Sequence, residues 1–226
     1  MSINEMLSGV KCTCGSYHTC AIKKVYIECD AIQKLSELCA DYEKILIVAD
    51  ENTYAAAGAA VLSVLSSKNV TEVVFDGGHI LIPNELAIER VTEKLNGIEL
   101  ILAVGSGVIQ DLCKYVSYKS KIPYIDVATA PSMDGYASDG AAMILGGMKE
   151  TVKSGLPLAI VADVDVLANA PIDMIKAGFG DIIGKYSALC DWRLANIVNG
   201  EYLCEYIYSV TEDMIKKDAF SGERSA

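Results

Sequence analysis

Residues 100–138 read LILAVGSGVIQDLCKYVSYKSKIPYIDVATAPSMDGYAS, and this stretch decides the fold. The apolar run at 100–104 is typical of a strand buried on both faces of a sheet. The glycines that follow let the backbone approach a ligand closely, and they open a helix, predicted to continue over 111–118, with free N–H groups. A second strand is predicted at 124–127, followed by a small polar loop at 129–138. In open α/β sheets, a loop after a parallel strand is where ligands bind.

The alternation of strand and helix continues on both sides of this stretch. Further strands are predicted at 21–28, 44–49, 70–75 and 157–162, helices at 30–41, 53–65 and 84–95, and a hairpin at 141–152. Asp30 and Asn52 stand where they could cap the helices that follow them. This order predicts βαβ units in a mostly parallel sheet with helices on both faces.

From residue 171 onward the pattern becomes helical throughout, with segments at 171–189, 190–198 and 201–217. We therefore expect an α/β fold with two parts. A Rossmann-like dinucleotide-binding domain would occupy residues 1–165. The first, incomplete part of an all-helical domain would occupy residues 166–226.

Composition limits the classes of partner. Apolar residues form 52% of the 226 residues, which predicts a packed core rather than disorder. The net charge of −11 argues against nucleic acid or an anionic membrane as a partner. It does not argue against a phosphorylated substrate, because backbone N–H groups can bind phosphate on an acidic protein. No signal peptide and no apolar run of about 18 residues is found, so we expect a cytoplasmic protein without a membrane span.

The chain has eight cysteines, which we expect to be reduced thiols because no secretory signal precedes them. The segment KCTCGSYHTC at 11–20 places Cys12, Cys14, His18 and Cys20 close together. These residue types suit zinc, but the spacing C-x-C-x3-H-x-C is not that of a standard zinc finger. A glycine-containing hairpin with free thiols is the favoured interpretation, and a metal site stays open as the second.

Two interpretations stay open at the glycine turn and at the end of the strand predicted before residue 50. The turn at 105–109 lacks the G-x-G-x-x-G pattern, so it is either a tight βα turn or a phosphate cradle. Asp50 follows a buried strand. It could accept hydrogen bonds from a ribose and repel a 2′-phosphate, which would favour NAD, or it could cap a helix.

The other candidate side chains are ambiguous when taken alone. Thr129, Ser132 and Ser138 are ordinary turn residues, and Asp134 is typical of an Asx turn. Asp181 lies in a helical segment that is otherwise apolar, where a carboxylate needs a partner. A lone aspartate in a helix is nevertheless usually a solvated surface residue.

Three segments resemble the sn-glycerol-1-phosphate dehydrogenase family, which belongs to the superfamily of iron-containing alcohol dehydrogenases and dehydroquinate synthases. They are GSGVIQDLCKY at 105–115, PYIDVATAPSMDGYASDGAAM at 123–143 and GFGDIIGKYSALCDW at 178–192. The segments occur in the family's order and spacing. The resemblance covers essentially the whole chain but only the first part of a typical family member.

The resemblance implies an NAD(P)-dependent reduction of dihydroxyacetone phosphate to sn-glycerol 1-phosphate, a step in phospholipid metabolism. A divalent metal, Zn²⁺ or Ni²⁺, would polarise the ketone. Asp134 would bind the substrate, and Asp181 would act in catalysis, bind the substrate and ligate the metal. Besides Asp50, the cofactor would contact Gly105, Ser106, Gly107, Val108, Ile109, Thr129, Ala130, Pro131, Ser132 and Ser138. Ser106 stands where the family usually has a glycine.

Two further metal ligands of the family are histidines farther along the helical domain, whereas this chain has only His18 and His79. We therefore expect a C-terminally truncated form with an incomplete metal site and little or no turnover. Glycerol dehydrogenase of the same superfamily and a non-catalytic nucleotide-binding module stay open as alternatives. A homodimer is compatible with the sequence, which does not fix the oligomeric state.

Overall fold

A computed structural model of the chain describes residues 7–220, with side chains described up to residue 217. The absence of a signal peptide was inferred partly from residues 1–6, which lie outside this range. The strands are β1 (Val10–Lys11), β2 (Tyr17–His18), β3 (Lys24–Glu28), β4 (Lys44–Asp50), β5 (Asn69–Phe75), β6 (Leu100–Gly105), β7 (Tyr124–Ala128), β8 (Gly140–Leu145), β9 (Met148–Lys153) and β10 (Ala159–Asp163).

Six of these strands form one sheet in the order β3-β10-β7-β6-β4-β5, and every neighbouring pair is parallel. The strands β6, β7 and β10 are buried along their whole length, as their continuous apolar runs predicted. The predicted hairpin is also confirmed, because β8 and β9 pair antiparallel around Gly146 and Gly147. Both glycines have positive φ, 58° and 78°, which the turn requires.

Helices cover both faces of the sheet. They are α1 (Leu35–Leu38), α2 (residues 51–64, with a π-helical turn at Tyr54–Gly58), α3 (Glu85–Thr92), α4 (Gly107–Ser120), α5 (Val164–Ala168), α6 (Ile172–Asn199) and α7 (Glu205–Phe220). One apolar cluster joins the sheet to α1 and α2, and a second joins it to α3, α4 and the β8–β9 hairpin. The prediction of a mostly parallel α/β fold that continues into helices is thus confirmed.

Three local predictions were wrong. Asp30 does not cap a helix, because it adopts a left-handed conformation with φ 59° and precedes a short 3₁₀ turn. Helix α2 is capped by Asp50 rather than Asn52. The two helices predicted at 171–189 and 190–198 form the single helix α6, which ends where Gly200 has a φ of 69°.

The last two helices leave apolar side chains exposed. Leu194, Ile197 and Val198 of α6 are each more than half exposed, as is Met214 of α7. No helix within the described range is long and apolar enough to cross a membrane. The limits of the two expected domains, 1–165 and 166–226, stay a prediction.

The core beneath α4 contains buried charge. Lys114 is 1% exposed, and its ammonium donates to the carbonyl oxygens of Gly135 at 3.2 Å and Gly140 at 3.1 Å. Asp111 lies 3.5 Å from the same ammonium. Asp126 on β7 is fully buried, and neither carboxylate oxygen has a hydrogen-bond partner among the described residues. Burial raises the pKa of Asp126 well above its ordinary value.

We expect Asp126→Asn to reduce the pH dependence of stability. The unfolded carboxyl ionises near about pH 4, below the raised pKa of the folded state. The unfolded state therefore loses its proton first, so the contribution of Asp126 to the free energy of unfolding is most favourable below about pH 4 and falls as the pH rises toward the folded pKa. Urea unfolding gives the free energy of unfolding at pH 5 and at pH 8. The difference between these two values should be smaller in Asp126→Asn than in the wild type by more than about 1 kcal/mol.

Asp41→Asn is the matched control, because Asp41 is exposed. The difference between the two pH values should stay at the wild-type value in this variant. The same difference in Asp126→Asn as in the wild type would show that Asp126 is ionised in the folded protein.

Candidate functional site

The topology places a crevice between the carboxyl ends of β4 and β6. These strands are neighbours, but the chain continues from β4 to β5 on one side and from β6 to β7 on the other. The connections diverge at this point, and such switch points are where open α/β sheets bind ligands. Asp50 ends β4 and Gly105 ends β6, so two of the predicted site residues flank the switch point.

The two glycines of the turn after β6 differ in their surroundings: Gly105 is tightly packed, whereas Gly107 borders open space. A Cβ on Gly105 would lie 2.6 Å from the Cβ of Ile109, so only glycine fits there. A Cβ on Gly107 would meet nothing nearer than Met133 at 4.0 Å. No described side chain caps α4, because the hydroxyl of Ser106 instead accepts from Ser132 at 3.1 Å. The first N–H groups of α4 thus have no side-chain cap among the described residues, and the space beside Gly107 is open, as a phosphate cradle requires.

Asp50 caps helix α2, which is one of the two roles that the sequence left open for this residue. Its Oδ1 accepts from the Thr53 N–H at 2.8 Å, and its own N–H donates to Thr53 Oγ1 at 3.0 Å. The half-buried carboxylate also lines the crevice opposite Ser106 and Val108. The capping role is confirmed, and the contact with a ribose stays a prediction.

Two open clefts make up the crevice. One has a volume of about 400 Å³ and includes Asp50, Ser106 and Val108 in its lining. The other has a volume of about 500 Å³ and includes Thr129 and Ala130. The two clefts share Asn52, Thr53 and Met174. Each volume lies within the range of about 300–1,000 Å³ that is usual for ligand sites.

The polar loop after β7 lies beside this crevice and is held in place by backbone contacts. The Thr129 N–H donates to the Gly105 carbonyl at 3.2 Å. The Tyr136 hydroxyl donates to the Ala130 carbonyl at 2.6 Å. Ser138 is exposed and accepts from the Gly140 N–H at 3.1 Å, and it does not line either cleft. The predicted cofactor contact of Ser138 therefore has no geometric support from the two clefts.

Helix α6 packs directly on the same loop. A Cβ on Gly178 would overlap the carbonyl oxygen of Pro131, so the helix and the loop backbone are in contact there. Asp181 Oδ2 accepts from the Asp134 N–H at 2.8 Å, and this bond lowers the pKa of Asp181. Lys185 forms an ion pair with the Asp134 carboxylate. The predicted pair Asp134 and Asp181 is thus brought together, with Asp181 ionised.

The described residues do not complete a metal site at Asp181. Within residues 7–217, the group of metal-binding side chains close enough to share an ion is Cys12, Cys14, His18 and Cys204. Asp181 is not among them. The divalent metal implied at Asp181 therefore does not fit the ligands described for this chain.

Sequence reasoning missed several residues of the site. Gly77 and Gly78 follow β5 and line the first cleft, and their position after a predicted strand was an available signal. Lys185 lies four residues after Asp181, and this spacing indicates that the two side chains share one face of the helix. The sequence showed no site signal for Met174 and indicated Asn52 only as a helix cap, and the folded structure places both at the junction of the two clefts.

The sequence profile of the iron-containing alcohol dehydrogenase family matches residues 26–171 of this chain. A glycerol-1-phosphate dehydrogenase (NAD(P)+) of Geobacillus thermodenitrificans is 36% identical over 218 residues, which are 93% of this chain and 54% of that protein. A protein of the same name from Halalkalibacterium halodurans is 35% identical, over 94% of this chain and 57% of the relative. The chain spans about half the length of these curated relatives.

Solved structures share the fold at lower identity. A probable glycerol dehydrogenase from Sinorhizobium meliloti 1021 superposes with a TM-score of 0.70 at 22% identity, covering 88% of this chain and 57% of that one. NADH-dependent butanol dehydrogenase A from Thermotoga maritima superposes with a TM-score of 0.68 at 19% identity, covering 86% and 54%. At these identities the similarity supports the fold alone.

We expect Gly178→Ala to destabilise the protein and Gly180→Ala not to. The new methyl group at 178 must displace the Pro131 carbonyl, and overpacking of this kind costs about 1–3 kcal/mol. A Cβ at Gly180 meets nothing within 4 Å, so alanine there should stabilise the helix by up to about 1 kcal/mol. Urea unfolding of both variants gives the comparison. Equal stabilities would contradict the contact between α6 and the loop.

Proposed function

Because the chain belongs to the iron-containing alcohol dehydrogenase family, we propose that it forms the cofactor-binding part of an NAD(P)-dependent glycerol-1-phosphate dehydrogenase. The observation that carries the proposal is the crevice at the switch point, where an open, uncapped helix start faces the carboxylate of Asp50. The relatives are named for glycerol 1-phosphate and NAD(P)+. The reaction that we propose is the one that the sequence resemblance implies, the reduction of dihydroxyacetone phosphate to sn-glycerol 1-phosphate.

The crevice suits a dinucleotide. The N–H groups of Gly107, Val108 and Ile109 would bind the pyrophosphate, because the positive end of the α4 dipole and the open space at Gly107 coincide. The carboxylate of Asp50 would accept from the adenosine ribose hydroxyls, an arrangement that favours NAD over NADP. Both cofactors stay within the proposal, because the relatives are named for NAD(P)+.

The substrate would lie beside the loop that α6 holds. Asp134 would accept a hydrogen bond from a substrate hydroxyl, while the ion pair with Lys185 holds the Asp134 carboxylate in position. The reduction adds a hydride from the nicotinamide to the ketone carbon and a proton to its oxygen. Asp181 would be one ligand of a Zn²⁺ or Ni²⁺ ion, but no step is assigned to that ion because the described ligands do not complete its site.

The proposal also includes a metabolic role, a cellular location and an oligomeric state. Glycerol phosphate is a phospholipid precursor, and a nicotinamide-dependent enzyme with free thiols suits the cytoplasm. Assembly as a homodimer is also proposed, and it is supported by the exposed apolar residues Leu194, Ile197 and Val198.

A non-catalytic nucleotide-binding module is the second candidate. The observation in its favour is that the only partners described for the Asp181 carboxylate come from Asp134 and Lys185, with no histidine among them. In that case Asp181 would serve to position the loop, and the crevice would bind a dinucleotide without reacting.

We expect Gly107→Asp to weaken NADH binding by at least about tenfold. An acidic residue at the first position of α4 is favourable for the helix, so folding should be retained. The same carboxylate would repel the pyrophosphate and fill the open space. NADH fluorescence titration gives the dissociation constant. Gly155→Asp adds the same charge where nothing lies within 4 Å, and it should bind like the wild type. Equal affinities of the two variants would place the cofactor elsewhere.

The reaction is tested by NADH oxidation with dihydroxyacetone phosphate and, for comparison, dihydroxyacetone, in the presence of Zn²⁺ or Ni²⁺. We expect slow oxidation that requires the phosphorylated ketone and falls to background in Asp181→Ala. Similar rates with both ketones would favour a glycerol dehydrogenase. NADH binding without oxidation of either, and without loss in Asp181→Ala, would favour the non-catalytic module.

A further inference from the structure

The N-terminal hairpin and the turn before α7 bring four potential metal ligands together. Cys12 and Cys14 lie between β1 and β2, and His18 ends β2. Cys204 precedes α7, and its contact with Cys12 spans 192 residues of sequence. The four ligand atoms all lie within 4.8 Å of one another. Cys20, which the sequence places in the same segment, lies outside this group, and Cys204 stands in its place.

Three of the six distances between the ligand atoms are close to the edges of a tetrahedron around a zinc ion. With Zn–S near 2.3 Å and Zn–N near 2.0–2.1 Å, tetrahedral geometry sets S···S at about 3.8 Å and S···N at about 3.6 Å. Cys12 Sγ and Cys204 Sγ are 3.6 Å apart. His18 Nε2 lies 3.5 Å from Cys14 Sγ and 3.3 Å from Cys204 Sγ. A disulfide would need sulfurs about 2.05 Å apart and would leave the histidine without a role.

Neighbouring aromatic residues support the ligands. The Tyr202 hydroxyl donates to Cys14 Sγ at 3.0 Å. A hydrogen bond donated to the sulfur favours the thiolate, which is the form that binds metals. The ring of His18 stacks on Tyr206 with ring centroids 6.2 Å apart. Such contacts orient ligands and raise metal affinity.

The N-terminal hairpin is short. Its two strands have only two residues each, paired in the registers Val10 with His18 and Lys11 with Tyr17. Hairpins of this size are not stable by themselves in water. None of the four ligands lines the cofactor crevice, and all four positions of the tetrahedron are filled by protein. Closed four-ligand sites of this kind are structural, whereas catalytic zinc sites keep one position open.

We propose that Cys12, Cys14, His18 and Cys204 bind one Zn²⁺ ion, which fastens the N-terminal hairpin to the start of α7. Binding releases the thiol protons and leaves three thiolates and a neutral imidazole around the ion. Soft thiolate ligands in a tetrahedron select zinc over the hard cations Mg²⁺ and Ca²⁺. This site is separate from the divalent metal implied at Asp181.

The test is the zinc content of the purified, reduced chain, measured by mass spectrometry of the metal. We expect one zinc per chain in the wild type and less than about a tenth of that in Cys204→Ser. Cys20→Ser is the matched control, because Cys20 lies in the same segment outside the cluster, and it should keep the zinc. Asp181→Ala should also keep it. Loss of zinc in either control, or full zinc in Cys204→Ser, would overturn the proposal.

A second measurement does not depend on the folding of a ligand variant. The wild-type chain is stripped of metal with a chelator and titrated with Co²⁺. One equivalent should produce the absorption of tetrahedral cobalt with thiolate charge-transfer bands. In Tyr202→Phe the same spectrum should appear with affinity reduced by about tenfold or more, because the Cys14 sulfur loses its donor. A wild-type chain that gives no such spectrum would overturn the proposal.

Discussion

The contact between Gly178 and the Pro131 carbonyl constrains most of the site. Here the backbone of α6 meets the backbone of the loop after β7, with no room for a side chain between them. The same loop is bonded to the end of β6 through Thr129 and Gly105. The glycine turn, the polar loop and the long helix therefore hold fixed positions relative to one another. Met174 of the same helix lines both clefts, so the close approach also places one wall of the crevice.

Charged side chains also hold the loop after β7 in place. Asp181 accepts from the Asp134 backbone, and Lys185 pairs with the Asp134 side chain, so α6 holds the loop through two contacts. On the other side, the buried ammonium of Lys114 donates to the carbonyls of Gly135 and Gly140. A loop of small residues would otherwise be mobile. Its order comes from ions placed on the two helices that flank it.

The strands and the glycine turn could be predicted because their signals are local. Continuous apolar runs produced the buried strands, and the turn after β6 lies where the sequence placed it. The residue that caps α2 could not be predicted, since Asp50 and Asn52 are both good caps. Asp50 is the cap because β4 ends there and the helix begins at the next residue. The partner of Cys14 and His18 could not be predicted either, because Cys204 lies 186 residues from His18 and no periodicity links them.

The partner of Asp181 illustrates the same limit. The apolar surroundings indicated that its carboxylate needed a partner, but the partner is a backbone N–H, and every residue except proline has one. Sequence patterns identify which side chains carry chemistry. They do not identify which part of the backbone those side chains will meet.

The edge position of β3 has a consequence for biosynthesis. Among the strands that the structure describes, β3 pairs with β10 alone, and the nearby bond from the Ile32 N–H to Asp163 spans 131 residues. At about 5–20 residues per second, a ribosome needs roughly 7–26 s to make that length of chain. Throughout this interval β3 has emerged without its partner, and an unpaired strand can associate with other chains. The order of strands in the sheet thus makes this segment a natural client for chaperones that bind nascent chains.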